Sequence, residues 1–184
     1  MKLAKIFFYG LLIICCHACQ QSSNIKDEVD NLLNSNIALL VDSMEEIRPT
    51  YLSESRIQCE HLKIVLFNDS LKCSTCEVRT LGEWDNFAQI LKREKNITLN
   101  LIPIFSPSAS DYLPLKSALK NSKPSFPVYL DTANCFIRSN PQIPSNKLYH
   151  TFVLDDQNRV VIIGNIMKNK RLYHLFLDCI ETIP

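Results

Sequence analysis

Two closely spaced cysteines are the side chains of this sequence best suited to chemistry. They are Cys73 and Cys76 of the stretch KIVLFNDSLKCSTCE. On a helix, residues at this CxxC spacing lie on one face about one turn apart, so the thiols can close a small disulfide ring, or one can attack a mixed disulfide on the other. The unpaired N–H groups and positive dipole of a helix start favour thiolate over thiol. Cys73 is therefore the candidate nucleophile, and Cys76 is the candidate resolving thiol.

The residues on either side of the motif predict the elements that hold it. Before it, the apolar, β-branched run at residues 64–67 predicts a buried strand that ends in a polar turn at 68–70. After it, apolar residues recur on one helical stripe; they are Val78, Leu81, Trp84, Ala88 and Leu91. The pattern predicts a strand, a loop, and a dithiol at the start of a helix.

The rest of the chain predicts further strands and helices in alternation. In chain order these are a strand at 97–105, a short helix at 112–119, a short strand at 126–130, a loop at 131–149, a hairpin of 151–154 with 160–163, and a last helix from about 168. Helices between the early strands imply parallel pairing through right-handed crossovers, whereas the hairpin must add antiparallel strands. We therefore expect an α/β fold with a mixed sheet covered by helices.

The composition of the chain sets limits on its organisation. With 184 residues, 46% of them hydrophobic, and a formal net charge of +1, it can bury one ordinary core and has no charge bias toward nucleic acid. The spacing of apolar residues over 25–47 predicts one or two helices that end at Pro49. We therefore expect a processing segment at 1–18, a tether and helical extension at 19–61, and one domain at 62–184.

The first residues have the features of a bacterial export signal. Lys2 and Lys5 precede an apolar run at 6–16, which is about half the length that a membrane span needs. The sequence at the end of that run, Cys16-His17-Ala18-Cys19, resembles a lipobox, with Cys19 as the cysteine that is lipidated and becomes the mature N-terminus. Cys15 or Cys16 is the alternative modified residue, and an ordinary signal peptide would leave a soluble secreted protein. We expect a lipid-anchored protein of the bacterial cell envelope that faces the periplasm.

Export favours reading the CxxC cysteines as a redox pair rather than as half of a zinc site, because disulfides persist outside the cytoplasm. The chain has eight cysteines, and three of them, Cys15, Cys16 and Cys19, lie in the signal segment or directly after it. The remaining five are Cys59, Cys73, Cys76, Cys135 and Cys179, an odd number that cannot pair completely within one molecule. Cys179 falls on the apolar stripe of the last helix, which predicts a core residue rather than a catalytic one.

Three segments of the chain are informative together: CSTC after a buried strand, FPVYLD as an additional strand, and HTFVLDDQNRVVIIGN as the final hairpin. They resemble the thioredoxin-like superfamily, in particular the TlpA-like or AhpC/TSA-like lipoproteins of Bacteroidetes, and the resemblance covers residues 62–183. It implies a thioredoxin-like sheet and thiol–disulfide exchange with protein thiols and disulfides of the envelope, in which Cys73 attacks and Cys76 resolves. Thioredoxins also use a buried acid as a base, for which Asp69 and Glu77 are the candidates in this chain.

Two other functions remain open at this stage. A copper-delivering metallochaperone would use both CxxC thiolates and a nearby histidine, and His150 before the hairpin is the candidate, since soft thiolates select Cu(I). A histidine beside a strand is, however, usually a polar residue at the rim of the sheet. A non-enzymatic binding module would keep the CxxC as a stable staple. The sequence contains no nucleotide, haem or flavin motif, so we expect no cofactor and no nucleic-acid partner.

Overall fold

The computed structural model describes residues 25–48, 62–69 and 74–182, with the backbone alone for residues 74–77. Its strands are β1 (Glu45–Ile47), β2 (Lys63–Asn68), β3 (Asn100–Phe105), β4 (Val128–Leu130), β5 (Thr151–Leu154) and β6 (Val160–Ile163). Its helices are α1 (25–32), α2 (Ser74–Lys95), α3 (Tyr112–Ser122), α4 (Cys135–Ser139) and α5 (Lys170–Thr182). Two 3₁₀ turns lie at Val41–Ser43 and Lys147–Tyr149. Among all the residues that the structure describes, no helix has the length and apolar character that crossing a membrane requires.

The strands form one sheet in the order β1-β4-β3-β2-β5-β6. Helix α2 connects β2 to the parallel strand β3, and α3 connects β3 to the parallel strand β4. Strand β5 lies antiparallel to β2 on the other side and forms the hairpin with β6. The predicted α/β fold, a mixed sheet flanked by helices, is confirmed, and β2 lies inside the sheet with the CxxC segment directly after it.

Alternation along β2 divides the core into two parts, because successive side chains of a strand point to opposite faces. Ile64 belongs to one face, where α2, α3 and α5 contribute Trp84, Leu115 and Phe176. Val65 and Phe67 belong to the other face. That second face is covered by N-terminal residues, by α4 and by the loop after it; the buried members of this cover are Leu32, Ile37, Phe136 and Ile143.

The N-terminal extension is helical only in its first part, as α1. The second predicted helix is wrong, because residues 34–47 form an extended strap across the second face of the sheet. At one end Asn36 bridges to Arg159 beside β6, and at the other end β1 pairs antiparallel with β4. Asn34 and Leu40 adopt the left-handed conformation, with φ of 65° and 52°, which interrupts a helix. The apolar residues of the strap are spaced to meet the sheet instead.

Other differences from the predicted elements are small. The strand predicted from residue 97 begins at Asn100, and the last helix begins at Lys170. The predicted loop at 131–149 contains the short helix α4 and a 3₁₀ turn. Helix α4 begins where it does because the buried carboxylate of Asp131 accepts the backbone N–H groups of Cys135 and Phe136 at 2.9 and 2.7 Å. A five-residue helix is too short to show a helical period in the sequence.

Candidate functional site

The CxxC motif falls in the sequence at the junction between β2 and α2. Strand β2 ends at Asn68, and α2 begins at Ser74, the residue that directly follows Cys73 in the chain. Cys76 is therefore in the first turn of α2, whose N–H groups have no acceptor within the helix. Cys73 itself, like Cys19 and Cys59, lies outside the described residues, and so does the side chain of Cys76. The predicted strand and helix on either side of the motif are confirmed.

The carboxyl ends of β2 and β3 and the start of β5 meet at this same edge of the sheet. The Ser106 N–H, just after β3, donates to the Asn68 carbonyl at 2.8 Å. The Phe67 N–H donates to the His150 carbonyl, just before β5, at 2.9 Å. Ser106 and His150 therefore lie on either side of the end of β2, from which the chain leads into the CxxC segment.

His150 is buried rather than a polar residue at the rim, so that prediction was wrong. It is only 5% exposed, and its ring lies 5.0 Å from the ring of Phe67. Its Nε2 lies 2.8 Å from the Pro144 carbonyl, which can only accept, so in the neutral ring Nε2 carries the proton. Nδ1 is then a lone-pair acceptor, and it is buried with no hydrogen-bond partner in the part of the chain that the structure describes. The candidate metal ligand is thus a fixed ring with one nitrogen available.

Asp69 holds a paired charge at the end of β2. Its Oδ1 is shielded from solvent and lies 2.8 Å from Nζ of Lys147, in the 3₁₀ turn before β5. The contact is a close ion pair rather than an aligned hydrogen bond. Glu77, the other candidate acid, lies in α2, and its side chain is outside the described set. Of the two candidates for the acid of thioredoxins, Asp69 therefore lies at this edge with a cation against it.

Two residues of this edge were not identified from the sequence. Lys147 is separated from its partner by 78 positions, and nothing in the local pattern marks it. Ser106 is buried, and its Oγ finds no partner within residues 25–48, 62–69 and 74–182. The signal that could have found Ser106 is its position directly after a parallel strand, because such positions line the carboxyl edge of an α/β sheet.

The two remaining described cysteines, Cys135 and Cys179, are free thiols. Cys179 is half-buried on α5 and packs against the core of the first face, beside the core rather than in it. Burial raises the pKa of its thiol, and the nearby Asp178 adds to the effect. Cys135 is half-buried at the start of α4. Within the described side chains, no group of three or more histidine, cysteine, aspartate or glutamate residues is arranged to hold a metal ion.

The sheet order, the crossover helices and the final hairpin define a thioredoxin-like fold, and the chain has that fold. No protein-family model matches the sequence, and no curated protein matches it significantly. Among solved structures it is similar to yeast Sco1, with 16% identity and a TM-score of 0.50 over 67% of this chain and 83% of that one. At this identity the likeness concerns the fold alone.

Two structures of thioredoxin-like proteins also match. One, solved in solution in its oxidized form, has 14% identity and a TM-score of 0.47 over 72% of this chain and 88% of that one. The other, from Bacteroides caccae, has 12% identity and a TM-score of 0.47 over 88% of this chain. The present chain covers 55% of the length of the Bacteroides caccae protein.

Proposed function

We propose that the protein is a thiol–disulfide oxidoreductase of the bacterial cell envelope that acts through Cys73 and Cys76. The observation that carries this proposal is the β2–α2 junction. An interior strand ends at Asn68, a helix begins at Ser74, and the CxxC motif spans the start of that helix. A thiol at a helix start is placed for thiolate chemistry, since the N–H groups and dipole there stabilise negative charge.

The exchange reaction needs only the two thiols and a partner disulfide. The Cys73 thiolate attacks one sulfur of the partner disulfide, so a mixed disulfide forms and a partner thiolate leaves. The deprotonated Cys76 then attacks Sγ of Cys73, which closes the Cys73–Cys76 disulfide and releases the second partner thiolate. Two electrons pass from the dithiol to the partner, and the two departing thiolates take up the protons. The same steps in reverse oxidise a partner dithiol.

A redox titration of the purified protein tests this function. The protein is equilibrated with glutathione or dithiothreitol couples of graded ratio, and the remaining thiols are alkylated and counted by mass. We expect a two-electron transition that is lost in Cys73→Ser and retained in a Cys135→Ser/Cys179→Ser control, which keeps the motif. A motif disulfide with a potential below about −300 mV would indicate a structural staple and would contradict the proposal.

Copper delivery is the second candidate, and the geometry of His150 favours it. Histidines that bind metals usually donate their other ring N–H to a carbonyl or carboxylate, as His150 Nε2 does toward Pro144. The free Nδ1 could then join the thiolates of Cys73 and Cys76 around Cu(I), a soft cation carried as cargo.

For this second candidate we expect His150→Ala to lower Cu(I) affinity at least about tenfold, because the thiolates lose a nitrogen ligand. The measurement is competition of the reduced protein with a chromogenic Cu(I) chelator. His174→Ala is the matched control, since His174 is exposed on α5. Equal affinities for wild type and His150→Ala would exclude His150 as a ligand.

We further propose that Cys19 carries the lipid that anchors the protein to the membrane. Support comes from the Ala18-Cys19 pair, which follows the apolar run at 6–16 after one intervening residue, His17. We expect Cys19→Ser to abolish labelling by radioactive palmitate and to move the protein to the soluble fraction. Cys15→Ser and Cys16→Ser serve as controls. If labelling survives Cys19→Ser but is lost in Cys15→Ser or Cys16→Ser, the lipidated residue is that other cysteine.

A further inference from the structure

A cleft lies between the edge strand β1 and the second half of helix α3. Its volume of about 410 Å³ is within the range of small-molecule sites. One wall is the end of the strap, residues 45–48, and the other wall is α3 with the residues directly after it. Strand β1 is separated from β2 by β4 and β3, so the cleft is at the opposite end of the sheet from the β5–β6 hairpin.

The lysines of α3 reach this cleft because of their spacing. Lys116, Lys120 and Lys123 are at positions i, i+4 and i+7, which share one side of a helix. Their stripe runs beside the apolar stripe of Leu115 and Leu119, which are buried in the core of the first face. All three lysines line the cleft, so this wall carries three cations.

The two carboxylates of the cleft are paired with cations of the same lining. Glu46 Oε2 lies 2.8 Å from Nε of Arg48. Glu45 Oε1 lies 2.6 Å from Nζ of Lys116, and the Tyr112 hydroxyl donates to Glu45 Oε2 at 2.6 Å. The hydrogen bonds from Lys116 and Tyr112 hold the pKa of the Glu45 carboxyl below its ordinary value. Glu45 is therefore ionised at neutral pH and cancels one positive charge of the cleft.

The charges that line the cleft do not balance. Arg48 and the three lysines supply four cations against two carboxylates, so two positive charges are in excess. Lys120 and Lys123 are the exposed lysines of the set. An ammonium group binds phosphate as a point charge, and a phosphate monoester carries about 1.5 to 2 negative charges at neutral pH. The excess charge of the cleft therefore matches the charge of this group.

We propose that the cleft between β1 and α3 binds a small phosphomonoester, whose dianionic phosphate is held by Lys120 and Lys123. The volume of about 410 Å³ leaves room for an organic group beside the phosphate. Both walls are needed, because the strap supplies Arg48 and α3 supplies the lysines. This binding involves no step at the cysteines, so it goes beyond the proposed thiol exchange and does not depend on it.

The test is an NMR titration of the isotopically labelled protein with glycerol phosphate at constant, low ionic strength. We expect saturable shifts of the backbone amide signals of residues 45–48 and 116–123. Lys120→Gln/Lys123→Gln should weaken the affinity about tenfold or more, because two attractive charges are lost. Glu46→Gln should instead strengthen it severalfold, because it adds one positive charge to the excess. Glycerophosphoglycerol, a diester with a single negative charge, should bind more weakly than the monoester.

Lys92→Gln/Lys95→Gln is the matched control for the loss of two lysines. Both are exposed in the last turn of α2, so they relate to a helix C-terminus as Lys120 does, but they do not line the cleft. Their removal should leave the affinity unchanged, and the same spectra show that each variant is folded. Equal weakening by both lysine pairs, or no saturable shift at millimolar glycerol phosphate, overturns the inference. Tighter binding of the diester would overturn the choice of a monoester. None of these results bears on thiol exchange, which the redox titration tests separately.

Discussion

Cys76→Ser should accumulate covalent complexes with envelope proteins, and Cys73→Ser should accumulate none. The mixed disulfide on Cys73 is normally short-lived because Cys76 displaces the partner, and a serine cannot do so. Without Cys73 the attacking thiolate is missing, so no mixed disulfide should form. Cys76 lies in the first turn of α2, one helical turn after the residue that precedes the helix. The complexes are detected as bands on non-reducing gels that disappear with dithiothreitol.

The pattern of trapping separates the possible functions. Complexes in Cys73→Ser but not in Cys76→Ser would reverse the two roles. An absence of complexes in both variants would favour a staple or copper delivery over exchange. Because Cys135 and Cys179 are free thiols in the structure, the trapping variants should also carry serine at both positions. Any remaining complex then depends on the motif or on Cys59.

Asn140→Ala should lower the free energy of unfolding by about 3 kcal/mol, from the loss of three hydrogen bonds at about 1 kcal/mol each. Asn140 is fully buried, with Oδ1 2.8 Å from the Ala38 N–H. Its Nδ2 donates to the carbonyls of Ala38 and Phe136 at 2.9 and 2.8 Å. One amide thus connects the strap to α4. The measurement is urea denaturation followed by circular dichroism.

Gln142→Ala provides the matched control for this substitution. Gln142 also bonds the strap, through the Asn36 carbonyl at 2.9 Å, but this contact is exposed and water can replace it. We expect its cost to be about 0.5 kcal/mol or less. If Asn140→Ala unfolds at the same urea concentration as Gln142→Ala, the buried amide does not hold the strap.

The elements that were predicted well are those with a strong local pattern. The hairpin strands begin and end at the predicted residues, because two apolar runs flank a polar segment of five residues. Strand β1 was missed because Glu45, Glu46 and Ile47 have no alternation that three residues could show. It is a strand only because it pairs with β4, 83 positions further along the chain from Glu46 to Tyr129. Such pairing is a tertiary effect that local patterns do not contain.

Parts of the candidate site were predicted from the sequence and other parts were not. The CxxC motif and its flanking elements followed from spacing and apolar runs. The burial of His150 did not, because it depends on the ring of Phe67 and on the Pro144 carbonyl, which the fold brings together. Asp69 and Lys147 are far apart in the sequence and are two of the 39 Lys, Arg, Asp and Glu residues of the chain. No local pattern indicates that these two form an ion pair.

The strap also affects how the sheet meets other polypeptide chains. Open edge strands expose unpaired N–H and C=O groups, which can recruit strands from other molecules and lead to aggregation. Beside β6, the strap occupies both backbone groups of Val160, through Asn34 N–H and the Ser35 carbonyl at 2.9 Å each. Beside β4, it adds β1, a three-residue strand that carries Glu45 and Glu46. A short acidic strand is a poor template for further pairing, so one N-terminal segment covers the first residue of β6 and ends the other side of the sheet in a strand that disfavours intermolecular strand addition.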